Sequence, residues 1–63
     1  MLISTNPNCE DIIFSRARQK FGRSAMPLYE HGQWWVIVER ITEDAQEIYS
    51  VIDTSDGIQF EMV

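Results

Sequence analysis

The sequence predicts an α+β fold in which an N-terminal helix packs on a three- to four-stranded antiparallel β-meander. Apolar residues recur at helical spacing in residues 6–22, and from Met26 onward the apolar period changes to two. Short turn-forming segments separate the period-two runs, so consecutive strands are expected to pair with each other. With 63 residues the chain is expected to form one small α+β domain over residues 1–63.

The segment NPNCEDIIFSRARQKFG, residues 6–22, carries the start and stop signals of a helix. Asn6 is expected as the N-cap and Pro7 at the first helical position, where its missing N–H costs nothing. Gly22 is a favourable residue for the helix end. At about 100° per residue, the apolar side chains fall within a half-circle that is expected to cover a sheet: Cys9, Ile12, Ile13, Phe14, Ala17 and Phe21.

The strands are predicted from their β-branched and aromatic residues and from the turns between them. They are expected at residues 28–30, 33–41, 47–53 and 58–63. His31-Gly32, a polar loop and the turn TSDG connect them. In the last hairpin, Asp53 is expected opposite Ile58. This register puts one apolar face under the helix, made of Tyr49, Val51, Ile58, Phe60 and Met62.

The middle hairpin decides which residue of the Trp34-Trp35 pair enters the core, because adjacent strand residues point to opposite faces. A four-residue loop pairs Arg40 with Glu47 and places Trp34 in the core. A five-residue loop shifts the phase by one and buries Trp35 instead. We prefer the first register because it pairs opposite charges.

With Trp34 inside, the opposite face of the sheet stays apolar. It carries Leu28, Trp35, Ile37, Ile41, Ile48 and Ile52. Monomers seldom expose so large an apolar patch, and one helix covers only one face of a four-stranded sheet. Four alternatives would cover this face: curling of the sheet, the N-terminal residues, a second copy of the chain or another partner. We therefore predict an interface at Trp35, Ile37, Ile41, Ile48 and Ile52.

Charge is segregated along the chain, whose net charge is −5. Residues 1–23 hold four of the five basic residues and two acids, whereas residues 24–63 hold one basic residue and eight acids. The basic residues near the helix end form a candidate basic patch: Arg16, Arg18, Lys20 and Arg23. Such a patch suits weak binding of a single nucleic-acid strand. The acidity of the remaining chain repels phosphates and argues against a nucleic-acid partner.

No pattern of catalytic or metal-binding residues stands out. His31 is expected to be an exposed turn residue and Cys9 a small buried one, with a general base and a reactive thiol as the alternatives. One cysteine and one histidine do not predict a disulfide or a zinc site, and neither a cofactor nor a small-molecule substrate is indicated. The chain lacks an apolar run of about 20 residues and a signal-peptide pattern, so a cytoplasmic protein is expected.

Three segments of the chain resemble a pattern of small uncharacterised cyanobacterial proteins: GQWWV at 32–36, YSVID at 49–53 and FEMV at 60–63. The likeness covers roughly the C-terminal half and rests mainly on the tryptophan pair. It implies a cytoplasmic α+β protein without an established activity, and it transfers no functional residues.

The sequence therefore predicts a small, acidic, non-enzymatic domain that binds a protein partner or a second copy of itself. A homodimer is the most economical form, because small domains gain burial by associating. One alternative is a regulatory or accessory subunit of a larger complex that docks through its segregated charge. Another is the weak nucleic-acid binder described above. The last strand, 58–63, is also a candidate edge for strand pairing.

Overall fold

The computed structural model of the protein describes residues 2–40 and 45–63 and has the predicted α+β architecture. Helix α1 (Glu10–Phe21) leads into a 3₁₀ turn (Gly22–Ser24). Four strands follow, β1 (Ala25–Glu30), β2 (Gln33–Arg40), β3 (Ala45–Thr54) and β4 (Gly57–Met62). They form one antiparallel sheet in the order β1-β2-β3-β4, so β2 and β3 are central and β1 and β4 are the edges.

The helix begins at Glu10, later than the capping prediction, and Cys9 rather than Asn6 is its N-cap. The Asn6 side chain is engaged locally, because its Oδ1 accepts the N–H of Asn8 at 2.9 Å. Its carbonyl also accepts the N–H of Cys9 at 3.1 Å. An Asx turn of this kind competes with the helix for the side-chain oxygen. The residues before Cys9 therefore form a turn that leads into the helix.

The predicted end of the helix at Gly22 is confirmed. Its φ is 84°, and its N–H donates to the carbonyl of Arg18. The buried face is narrower than predicted, because Ile12 and Phe14 are 42% and 38% exposed. A helix on one sheet face buries only the side chains that point at the sheet. These recur every four residues, at Cys9, Ile13, Ala17 and the half-buried Phe21.

The outer hairpins have the predicted connections. His31 and Gly32 form the two-residue turn between β1 and β2 with φ of 56° and 74°, a left-handed conformation that suits glycine. In the last hairpin Asp53 lies opposite Ile58, and the pairing continues to Tyr49 opposite Met62 as predicted.

The β2–β3 hairpin keeps the predicted phase but differs in register. Arg40 lies opposite Ala45, so the predicted pairing of Arg40 with Glu47 is wrong by two residues. A slip of two leaves every side chain on its face. Trp34 is accordingly the buried tryptophan, only 4% exposed. Arg40 Nε still donates a hydrogen bond to Glu47 Oε1 at 2.8 Å, as a diagonal ion pair between β2 and β3.

The core lies between α1 and one face of the sheet. Its buried members are Ile13, Ala17, Ala25, Trp34, Val36, Val38, Tyr49 and Val51. At one end the ring of Phe21 lies 4.5 Å from that of Tyr49 and 5.5 Å from that of Phe60, centroid to centroid. Met62 shares this side of the sheet but is 57% exposed, so the helix does not cover the whole face.

The N-terminal residues are tied to the ends of β2 and β3. The Ser4 carbonyl accepts the backbone N–H of Trp34 at 2.7 Å, and Ile3 packs against the core. The Asp53 carboxylate accepts the N–H groups of Ile3 and Ser4, at 2.7 and 3.1 Å, together with the Ser4 hydroxyl. The segment is thus held at the core side of the sheet, and its described residues do not cover the opposite face.

Candidate interaction surface

The sheet face that points away from α1, named the outer face, is apolar and has no cover among residues 2–40 and 45–63. Its apolar members are Met26, Leu28, Trp35, Ile37, Ile48, Ile52 and Val63. Trp35 and Ile37 are half-buried, while the others are at least 37% exposed. Contiguous apolar surface of this kind marks interaction sites in proteins.

One apolar row crosses the sheet from edge to edge. Met26 lies opposite Ile37, and Ile37 lies opposite Ile48. The N–H of Val63 donates to the Ile48 carbonyl at 2.9 Å and extends the ladder to the last residue. Since directly opposed residues share a face and their side chains are neighbours, these four residues form a continuous apolar band.

Trp35 stands in the next row, between Leu28 of β1 and Ser50 of β3. Its indole N–H donates to the carbonyl of Glu30 at 3.1 Å. Because this donor has a partner within the chain, the indole offers a binding partner mainly its apolar ring. A groove of about 190 Å³ lies beside it, lined by Leu28, Glu30, His31, Trp35, Ile37 and Ile48.

The charged residues around the apolar rows are acidic. Glu30, Glu39 and Glu61 alternate onto the outer face from β1, β2 and β4, and all three are exposed. In the described strands, no lysine or arginine lies on this face. The outer face thus has an apolar centre and an acidic rim, and an apolar centre with a polar rim is the usual anatomy of a protein interface.

The structure brings together most of the residues predicted at the interface: Trp35, Ile37, Ile48 and Ile52. Ile41 lies outside the described residues. Sequence reasoning missed Met26, because β1 was expected to begin at Leu28. It also missed Val63, although the register of the last hairpin places that residue opposite Ile48. Extending the period-two alternation to both strand ends identifies the two residues.

The residues of the predicted basic patch, Arg16, Arg18, Lys20 and Arg23, are all exposed but do not form one surface. The Arg18 guanidinium lies over the ring of Phe14, 5.2 Å from its centroid. Arg16 and Lys20 instead line a groove of about 280 Å³ with Gln19, Ile58, Gln59 and Phe60. In the described part of the chain, no carboxylate lies within ion-pair distance of any of the four basic residues.

His31 and Cys9 have the predicted environments. The His31 side chain is 85% exposed, with its Nε2 3.7 Å from the Glu30 carboxylate. Cys9 is 5% exposed. The described residues include no group of three or more His, Cys, Asp or Glu side chains placed to hold a metal ion.

Two carboxylates are held by hydrogen bonds on the core side of the sheet. The Ser4 hydroxyl, aided by backbone N–H groups, lowers the pKa of Asp53. The bonded Arg40 guanidinium lowers the pKa of Glu47. Tyr49 donates its hydroxyl to Glu47 Oε1 at 3.1 Å, and burial together with this bond raises the pKa of Tyr49. Both groups fasten structural elements together and lie away from the outer face.

Comparison of the chain with protein-family models, with curated proteins and with solved structures gives no significant match. None of the helical segments in the described ranges has the length and apolar character needed to cross a membrane.

Proposed function

We propose that this protein is a small non-enzymatic interaction module that self-associates, and that the outer face is its interface. The observation that carries the proposal is the uncovered apolar band from Met26 to Val63, with Trp35 beside it. Burial of apolar surface is the dominant favourable term in protein association. The outer face offers that surface without any rearrangement of the fold.

A second copy is favoured as partner by the size of the domain. A chain this short buries only about 60% of its unfolded surface on folding, so burial gained by association stabilises it. The domain measures 37 × 23 × 18 Å, and its broad faces are comparable with the about 800 Å² that each partner buries in a standard interface.

Nucleic-acid binding is less favoured by the arrangement of the basic residues. Arg18 stacks on Phe14, whereas Arg16 and Lys20 lie beside β4. A single strand is bound along a continuous positive groove with exposed aromatic platforms. The cations of α1 are divided between these two places and the outer face is acidic, so together they do not supply such a groove.

Sedimentation velocity over a concentration series tests the proposal. Met26→Glu and Phe14→Glu change the net charge equally, but Met26 is 64% exposed on the outer face whereas Phe14 is 38% exposed on the helix beside Arg18. Association is expected to be lost in Met26→Glu and retained in Phe14→Glu, while circular dichroism verifies the fold of both. A wild-type chain that stays monomeric up to millimolar concentration, or equal weakening by the two substitutions, overturns the proposal.

A further inference from the structure

We infer that the outer face of one copy receives the basic flank of helix α1 from a second copy, so that copies associate head to tail. The basic flank consists of Ile12, Arg16 and Lys20 of the helix with Ile58 and Phe60 of β4. This inference rests on the proposed function, whose interface it uses, and specifies which surface of the second copy binds there.

The acidic rim opposes pairing of two outer faces. A two-fold dimer of that kind brings Glu30, Glu39 and Glu61 of each copy toward the same three residues of the other. No lysine or arginine of the described strands lies on the outer face to neutralise them. Like charges brought together at an interface disfavour the complex. A partner with an apolar surface and cations around it fits better.

The basic flank has that composition. Arg16 lines two grooves, one of about 460 Å³ with Ile3, Asp11, Ile12 and Ser15, and one of about 280 Å³ that includes Lys20, Ile58 and Phe60. Ile12 is 42% exposed, and in the described ranges neither Arg16 nor Lys20 is ion-paired. Lys20 Nζ lies 5.9 Å from the centroid of the Phe21 ring, and the side chains of Arg16 and Lys20 are both exposed. Long side chains of this kind lay their stems on apolar surface and keep the charge accessible. Ile58 and Phe60 are half-buried against their own core. In the inferred contact, Ile12 and the exposed parts of these two residues face the apolar band of the other copy while the two cations reach its glutamates.

The position of the two surfaces determines the kind of assembly. The basic flank belongs to the helical layer, and the outer face lies on the far side of the sheet. The basic flank of a chain therefore cannot contact the outer face of the same chain. Each bound pair leaves one basic flank and one outer face free. Heterologous contacts of this type produce rings or open chains rather than closed dimers. Wild-type protein at low ionic strength is expected to form species larger than a dimer.

Two variants that are each blocked at one surface test this arrangement. Met26→Glu blocks the outer face, and the double variant R16E/K20E reverses the charge of the basic flank. Each variant alone is expected to be monomeric. An equimolar mixture is expected to form a heterodimer, because the intact basic flank of Met26→Glu can still bind the intact outer face of R16E/K20E. The double variant R18E/R23E changes the net charge equally but away from the flank, and it is expected to associate as wild type does. Circular dichroism and thermal melting verify that each variant is folded.

Ionic strength supplies a second readout. Between about 0.01 M and about 1 M salt the Debye length falls from about 30 Å to about 3 Å, so association is expected to weaken strongly over this range. If R16E/K20E alone associates as wild type does, the inference is overturned while the proposed function stands. If wild type and every mixture remain monomeric, both are overturned.

Discussion

Trp34 donates its indole N–H to the carbonyl of Asn6 at 2.7 Å, and this bond ties the buried face of β2 to the turn that precedes α1. The same carbonyl accepts the N–H of Cys9, the N-cap of the helix. Trp34 therefore fills the core and also holds the start of α1. Its neighbour Trp35 points to the outer face, so adjacent tryptophans have different structural roles.

Replacing the two tryptophans by alanine is expected to separate these roles. Trp34→Ala should lower the free energy of unfolding by about 3–5 kcal/mol, the usual cost of removing a buried aromatic side chain. That loss approaches the whole stability of a domain of this size, which is roughly 0.05–0.15 kcal/mol per residue. Trp35→Ala should cost less, because this side chain is only half-buried. Urea unfolding measures both, with Trp34→Phe as a milder variant of the first, and equal losses would contradict the assignment of faces.

Asp53 is expected to make stability depend on pH in the acid range. Because hydrogen bonds from Ser4 and Ile3 lower its folded-state pKa, the native state binds fewer protons than the unfolded state there. Its contribution is full above the pKa of an unfolded aspartate, about 3.9, and is lost as the pH falls through the lower folded value. Urea midpoints measured at a series of acid pH values should fall less steeply for Asp53→Asn than for wild type. Asp56→Asn, in the exposed turn between β3 and β4, is the matched control and should keep the wild-type slope.

Tyr49 is expected to ionise at higher pH than an ordinary tyrosine. Burial is the main cause, and the hydrogen bond to Glu47 adds to it. The stability gained from the neutral phenol is present below the unfolded pKa of about 10 and is lost as the pH rises through the folded value. In a Tyr29→Phe background, absorbance titration reports Tyr49 alone. Glu47→Gln should lower its pKa only in part, because burial remains, and an unchanged pKa would contradict a role for the bond.

Substitutions at the two residues of the turn between β1 and β2 are expected to change the thermal stability in opposite directions. His31 has φ of 56°, a conformation that asparagine adopts more readily, so His31→Asn should raise the thermal midpoint slightly. Gly32 has φ of 74°, and Gly32→Ala should lower stability by about 1 kcal/mol. For a domain of this length such a loss lowers the midpoint by roughly 4–8 °C. Thermal melting should therefore give a higher midpoint for His31→Asn and a lower midpoint for Gly32→Ala. A higher midpoint for both variants would be inconsistent with this turn geometry.

Local patterns were sufficient for several elements. The alternation of Tyr49, Val51, Ile58 and Phe60 predicted the face and register of the last hairpin, since a short turn leaves few ways to pair the strands. Gly22 predicted the helix end, because a left-handed residue there suits glycine. The residues of the outer face followed from the same alternation, apart from the two at the strand ends.

Contacts between distant residues were not predictable in this way. The Asp53 carboxylate binds Ser4, 49 residues away, and no periodicity links these positions. Asn6 has all the local features of an N-cap, yet its carbonyl accepts bonds from Trp34 and Cys9 and its side chain forms an Asx turn. The helix therefore begins where tertiary hydrogen bonding allows, rather than where the capping residue stands.

The sequence by itself determined that adjacent strand residues lie on opposite sides of the sheet and that both sides are apolar, but it left open which of the two tryptophans is buried. Only the tertiary structure decided that Trp34 is the buried one and that Arg40 lies opposite Ala45 rather than Glu47. The reason is that strand side chains alternate with a period of two, so a slip of two residues leaves the pattern of faces unchanged and a slip of one exchanges two apolar faces. Choosing between such registers depends on how the neighbouring elements pack, and the pairing energy of one pair of charges is too small to decide it.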